Sequence, residues 1–289
     1  MGRSRRCQLM TLTSDSKPTT VEYGPNKRAQ RGPSRAFRAM ASPWGSLVPV
    51  VVILLLWQLG STIGVIDRIF FPAPLDSFAA LVDLIVDGEL LPNLWITVQR
   101  VLSGFALGVI PAVIVGLAMG LLPWARVVID PIISILYPIP AVALLPLLLV
   151  IFGTGSTPII VLAGIISFFP TAVNSMAGVL QNDVRLTQMG RNMGASQRQL
   201  LWKVILPGAL PSIFAGVRLS AGLALLGVIA GEFLAGSDGI GSLTWQYWQV
   251  YQITNMYATL AVITAMGFTL TTVTLRIQRR YFNWTEGTS

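Results

Sequence analysis

Six apolar runs, at about residues 47–66, 94–122, 131–152, 158–180, 209–234 and 257–275, dominate this chain. Each is near the roughly 20 residues that a helix needs to cross a hydrocarbon core. Lipid offers no hydrogen-bond partner to the backbone, so a segment that crosses it satisfies its own N–H and C=O groups as a helix. The expected fold class is therefore all-α, a polytopic membrane helix bundle of about six transmembrane helices. Within 289 residues such a bundle leaves no room for a large soluble catalytic domain, so any source of chemical energy has to lie in another chain.

The residue inventory removes much chemistry. Histidine is absent and the one cysteine is Cys7, which excludes disulfides, Cys/His metal sites, imidazole proton relays and Cys/His nucleophilic pairs. Neither a metal nor a cofactor is expected. The net charge of +8 is no sign of nucleic acid, because nine of the twenty Lys/Arg precede residue 40, ahead of the first apolar run. Membrane topology explains that bias, since loops on the cytoplasmic side carry the cations.

Residues 1–43 are rich in Ser, Thr, Pro and cations and read as a disordered basic cytoplasmic tail, too long for the n-region of a signal peptide. Residues 44–282 form the membrane domain and 283–289 a short C-terminal tail. The stretch after the first run, "DRIFFPAPLDSFAALVDLIVDGELLPN", holds five acids against Arg68, and its repeat at Phe78, Leu81, Leu84 and Ile85 suits a short surface helix on the outside. The tail, Arg126, the set Arg185, Arg191, Arg198 and Lys203, and Arg276, Arg279 and Arg280 fall on one side. Arg68 and Arg100 fall on the other with most of the acids. Both termini are thus expected in the cytoplasm, which an even number of spans allows.

Between the fourth and fifth runs lies "MGRNMGASQRQLLWKVILPGALPSI", with three cations and no acid. Leu186, Met189 and Met193 repeat at helical spacing, which predicts a short amphipathic helix over 184–193. Gly194 stands where a helix end wants positive φ, and Ser196-Gln197-Arg198-Gln199 has the spacing of a capping box for a second helix. Pro207 and Pro211 then turn the chain into the next span. This elbow, at about 184–206, suits either a basic hairpin held by anionic lipid or a surface that docks a protein.

Gly194-Ala195, followed by apolar residues at Leu201 and Val204, then Leu206-Pro207 and Pro211, is similar to the coupling loop of bacterial ABC-importer permeases, the type I architecture. "FPAPLDSF", "YPIPAVALLPLLLVIFG", "LPGALPSIFAGVRLS" and "IAGEFLAGSDGIGSL" resemble the taurine, alkanesulfonate and nitrate branch, and the likeness covers about residues 45–282. The resemblance implies that Gln188, Met189, Gly190, Met193, Gly194, Ala195, Leu201, Leu206 and Pro207 dock an ATPase subunit. One departure is Gln188-Met189-Gly190, where the family has Glu-Ala-Ala. Glutamine keeps hydrogen bonding and loses the charge, so an ion pair made there by the family glutamate would be weaker.

Inside the apolar runs, Glu232 is either a lining or gate residue of the translocation path or a residue that structures the outer loop. Arg218 either snorkels to the headgroups or pairs with a facing helix, and if the cargo is anionic, as the resemblance implies, Arg218 or Arg100 would attract it. Four prolines, Pro131, Pro138, Pro140 and Pro146, force a kink or break in the third run, with Pro138 and Pro140 as candidates for the path wall. Trp245, Tyr247, Trp248 and Tyr251 form an outer aromatic belt or a contact for an external protein.

The function implied is the membrane-spanning permease subunit of an ATP-driven importer of a small anionic solute such as a sulfonate, taurine or nitrate. Its partners would be two ABC ATPase subunits, a second permease copy in a homodimer, an external or periplasmic solute-binding protein and the lipid bilayer, in a bacterial plasma (inner) membrane. The chain is not expected to be an enzyme, because it has no Gly-Lys pair and so no phosphate-binding loop of that kind. An ion-coupled secondary transporter is the alternative, although it calls for paired halves and intramembrane carboxylates. A membrane enzyme such as a lipid transferase is a third, with no cluster of catalytic groups to serve it.

Overall fold

The computed structural model describes residues 47–281, and the expectations for 1–43 and 283–289 lie outside the described residues. Among the described residues all regular structure is helical. The elements are α1 (Leu47–Ile63), α2 (Pro74–Val86), α3 (Leu90–Leu121), α4 (Pro123–Leu136), α5 (Leu145–Phe152), α6 (Ser156–Leu180), α7 (Val184–Asn192), α8 (Gln197–Leu200), α9 (Leu206–Ala235), α10 (Ile240–Gln249) and α11 (Ile253–Tyr281). The compact unit that carries the bundle begins at Leu54.

Four apolar helices among the described residues are long enough to cross a membrane: α3, α6, α11 and the continuous run of 39 residues over Gln197–Ala235 that ends in α9. The third expected run, residues 131–152, is broken as its prolines predict, with α4 and the segment Ala141–Phe152 meeting at 87°, and its helical structure starts earlier than expected, at Pro123. Pro138 and Pro140 lie at the break, where each removes a backbone donor and its ring blocks the preceding turn. The helix restarts through a 3₁₀ turn at Ala141–Leu144, with Pro146 at the first turn of α5, the place a helix tolerates it. Pro131 lies inside α4, before the break.

The surface helix expected after the first run is α2, but its buried residues are Ser77, Ala80 and Leu84. Phe78 and Ile85 of the apolar repeat face outward. Leu84 and Ala80 pack instead with Ile240, Leu243, Tyr247 and Ala258, which joins α2 to α10 and α11.

The centre of the bundle is α6, flanked by α3 and α9. Small residues explain how closely they approach. Gly104, Gly108, Ala112, Gly116 and Gly120 recur every four residues along one line of α3. A Cβ at Gly104 would lie 2.6 Å from the Cβ of Ala163, and one at Gly108 would collide with the carbonyl oxygen of Gly164. Backbone meets backbone there, the contact that drives helix association where lipid supplies no hydrophobic force. On the other side of α6, the Thr171 and Ser220 hydroxyls are 2.7 Å apart, and Ser220 donates to the Ser167 carbonyl at 2.7 Å. Those buried hydroxyls are paired inside the bundle, as an apolar surrounding requires.

Candidate functional site

The elbow is built by local signals in the chain. Asp183 caps α7, its carboxylate accepting from the Arg185 N–H at 2.8 Å. Gly194 adopts φ +80° and its N–H donates to the Arg191 carbonyl at 2.9 Å, which ends α7 with a left-handed residue. Ser196 and Gln199 form the reciprocal capping box, with Gln199 accepting from the Ser196 N–H at 2.8 Å. Gly190 gives α7 its close seat, since a Cβ there would lie 2.6 Å from Leu200 Cδ2.

From α8 the chain passes through a single π-helical turn, Leu201–Ile205, before α9. The Leu206 N–H reaches back five residues to the Leu201 carbonyl. Pro207 explains the wider turn, because it has no N–H for Lys203 and its ring pushes that carbonyl aside. Asn182, between α6 and α7, ties the turn down by donating from its side-chain amide to the Ile205 carbonyl at 2.9 Å.

The structure therefore brings the sequence-derived elbow residues into one unit. Gln188, Met189 and Gly190 lie on α7, Met193-Gly194-Ala195 form its corner, Leu201 opens the π turn, and Leu206-Pro207 begin α9. Leu186 and Met189 stand exposed, and Met193 is 86% exposed, so the apolar stripe of α7 has no cover among the described residues. Gln188 lines a cleft of about 350 Å³ beside α7 with Thr187, Arg191, Val179 and Ile205.

A second cluster lies at the far end of α9. Arg100 and Glu232 are 2% and 0% exposed and form an ion pair at 2.9 Å. The carboxylate also accepts from the Thr97 hydroxyl, 3.0 Å from both oxygens, and from the Gly241 N–H at 2.8 Å. The guanidinium donates to Ser156 Oγ at 3.0 Å and 3.1 Å and to the Asp238 carbonyl at 2.8 Å, and it pairs with the Asp238 carboxylate. Asn93 accepts from the Gly239 N–H at 2.7 Å. Buried charges are tolerated only when paired and fully hydrogen-bonded, and here α3, α6, α9 and the loop before α10 all contribute partners.

The loop "GSDG" folds onto this carboxylate for a steric reason. Gly239 has φ +101° and ψ 162°, a region open to glycine, and a Cβ there would collide with the Glu232 carboxylate. Glu232 thus serves as the hub that holds the α9–α10 connection. Sequence reading singled out Glu232 but missed Arg100, Thr97, Asn93 and Asp238 as its partners. Two charges of opposite sign, each inside an apolar run, were the available signal.

Close by, Tyr247 of α10 is buried and donates its hydroxyl to the Glu89 carboxylate at 2.8 Å. Burial, and then the Glu89 carboxylate, push the phenol above its usual range. Tyr247 is therefore not part of an exposed belt. Trp245 and Trp248 stack on each other with ring centroids 4.8 Å apart, and Tyr251 is exposed with φ +58°.

The remaining candidates lie along the faces of α4, α6 and α9. A groove of about 490 Å³ runs past Tyr137, Ile139 and Ala141 at the break, Phe169 of α6, and Leu223 and Leu226 of α9. Pro138 and Pro140 are exposed beside it. Arg218 is exposed on α9, with no ion pair or hydrogen bond among the described residues.

Residues 104–285 match the family of binding-protein-dependent transport system inner membrane components. The taurine transport system permease protein of Escherichia coli (strain K12) is 32% identical over 244 residues, 83% of this chain and 89% of that protein. A putative aliphatic sulfonates transport permease protein of Bacillus subtilis (strain 168) is 30% identical over 240 residues, 83% of this chain and 87% of that protein. The methionine ABC transporter solved in inward-facing conformations shares the fold at 21% identity, with a TM-score of 0.61, over 68% of this chain and 97% of the solved one.

Proposed function

The chain belongs to the family of binding-protein-dependent transport system inner membrane components, and from that premise we propose that its elbow is the lever through which a partner ATPase moves the spans. The chain is a membrane-embedded ABC-importer permease subunit and not itself an enzyme, since ATP hydrolysis in this family belongs to a separate subunit. The family implies an ATPase and a substrate-binding protein as partners.

One observation supports the lever above the others: α7 keeps its apolar stripe exposed on a corner that local capping makes stiff. An ATPase groove that covers Leu186, Met189 and Met193 would turn ATP-driven closure into a pull on α9, because α8, the π turn and α9 form one continuous helix. Gln188 gives this contact a hydrogen-bonding group in place of a charge. The test is Met193→Asp in the reconstituted importer. Uptake is expected to fall by at least tenfold, the protein still inserted and folded, with the ATPase lost on purification. Wild-type uptake by a correctly inserted variant would overturn the lever.

The proposed cargo is a small anion of the sulfonate class, in line with the taurine and aliphatic sulfonate relatives. The path forms between two copies of the chain, along the exposed faces of α4 and α9, in the inner membrane of a bacterium with both termini on the elbow side. Uptake of radiolabelled taurine and of ethanesulfonate into proteoliposomes, with the cognate binding protein and ATP, is expected to exceed that without ATP at least tenfold. ATP-driven uptake only of solutes that carry no sulfonate group would overturn this cargo class.

A further inference from the structure

We propose that Arg218 is the residue that recognises the negative charge of the cargo inside the translocation path, a position-specific claim that rests on the sulfonate-class reading above. The side chain is exposed on α9 and has no carboxylate, hydroxyl or carbonyl partner among the described residues. Its position along the helix limits the alternatives. At 1.5 Å per residue it lies about 18 Å from the start of α9 and about 26 Å from its end, more than three turns from either. An ionised group in the middle turns of an apolar helix, away from the ends where it can snorkel, faces the inside of a bundle or a water-filled cavity, and Arg218 does not face the inside of this bundle.

The surface around it is shaped as a path wall. Arg218 shares the exposed side of α9 with Ala215, Leu219, Gly222 and Leu226. A Cβ built on Gly222, one turn beyond Arg218, meets nothing within 4 Å, so this side of the helix is open. About 8 Å further along the axis begins the groove lined by Tyr137, Phe169, Leu223 and Leu226, in which no side chain is charged. A cargo moving along α9 from the elbow meets this cation about 8 Å before it reaches the apolar groove. The buried guanidinium of Arg100 is occupied by Glu232 and Asp238 and cannot serve. A guanidinium offers a planar fork of donors matched to the oxygens of a sulfonate or carboxylate, and a second copy of the chain would bring a second fork to the same path.

The experiment uses the complete importer in proteoliposomes in a Cys7→Ser background, with radiolabelled taurine as probe. Arg218→Gln is expected to lower ATP-driven taurine uptake at least tenfold, as loss of a charge-assisted hydrogen bond would. Arg218→Lys is expected to retain most of it. Arg218→Cys is expected to be inactive, to react with membrane-impermeant thiol reagents, and to regain uptake when the reagent carries a trimethylammonium group but not when it carries a sulfonate. Full uptake by Arg218→Gln, or an Arg218→Cys variant that impermeant thiol reagents do not label, overturns the proposal. A wild-type importer that transports no sulfonate overturns the cargo class instead. Labelling of the Arg218→Cys variant then decides alone whether this position faces the water path.

Discussion

Replacing Glu232 by glutamine changes one atom of a buried cluster, and its cost follows from the partners already described. The carboxylate takes the Arg100 guanidinium on one oxygen and the Gly241 N–H on the other, with Thr97 shared between them. An amide has one acceptor, so either Arg100 or Gly241 faces an NH₂ group, and a buried donor left without an acceptor costs about 1–3 kcal/mol. Losing the charge opposite a buried guanidinium moves the total toward the roughly 3–5 kcal/mol typical of a broken buried pair. Asp238 remains on Arg100, but it is 45% exposed and solvent screens its help. The expected loss for Glu232→Gln is about 3 kcal/mol, with a similar loss for Arg100→Met, which strands the carboxylate.

The double variant separates pairing from general damage. If the two groups act as a pair, Arg100→Met with Glu232→Gln costs about 2–3 kcal/mol less than the two single losses added together. The assay is reversible chemical unfolding in detergent micelles followed by tryptophan fluorescence, with all four proteins compared under one condition. Additivity within about 0.5 kcal/mol, the value for independent sites, would refute the pairing of Arg100 with Glu232.

Further outcomes are expected. Gly239→Ala forces a side chain into a glycine-only backbone region and onto the Glu232 carboxylate, and should lower stability by about 1–3 kcal/mol in the same unfolding assay. Gly108→Leu has to push α3 off the Gly164 carbonyl and should cost more than about 1 kcal/mol, whereas the exposed neighbour Leu107→Ala should cost less. Tyr247 holds its proton more tightly in the folded chain than the ordinary phenol value of about 10, so its contribution is complete below about pH 10. Above that pH the unfolded chain loses the proton first and stability falls. Unfolding curves measured from about pH 9 to 11 should therefore drop more steeply for the wild type than for Tyr247→Phe, and parallel curves would count against it.

Much of this molecule is written locally in its sequence. The apolar runs fix helices because a backbone in lipid has no other partner, and α3, α6, α9 and α11 stand where those runs placed them. The elbow is equally local: a capping Asp183, a left-handed Gly194 and the Ser196–Gln199 box each act within a few residues. Periodicity served less well in α2, where Phe78 and Ile85 face outward, because the buried face depends on which helices arrive beside it.

What only the tertiary structure decided is long-range. Four prolines announced a disturbance in the third run, but its size, an 87° turn between α4 and the next segment, was visible only in the structure. Arg100 and Glu232 are 132 positions apart, and Asp238 joins them only because Gly239 lets the loop fold back onto the carboxylate. A charge in an apolar run signals that it has a partner, but the chain does not say which residue supplies it. Packing of α3, α6 and α9 made that choice, and by the same packing it left Arg218 without one among the described residues.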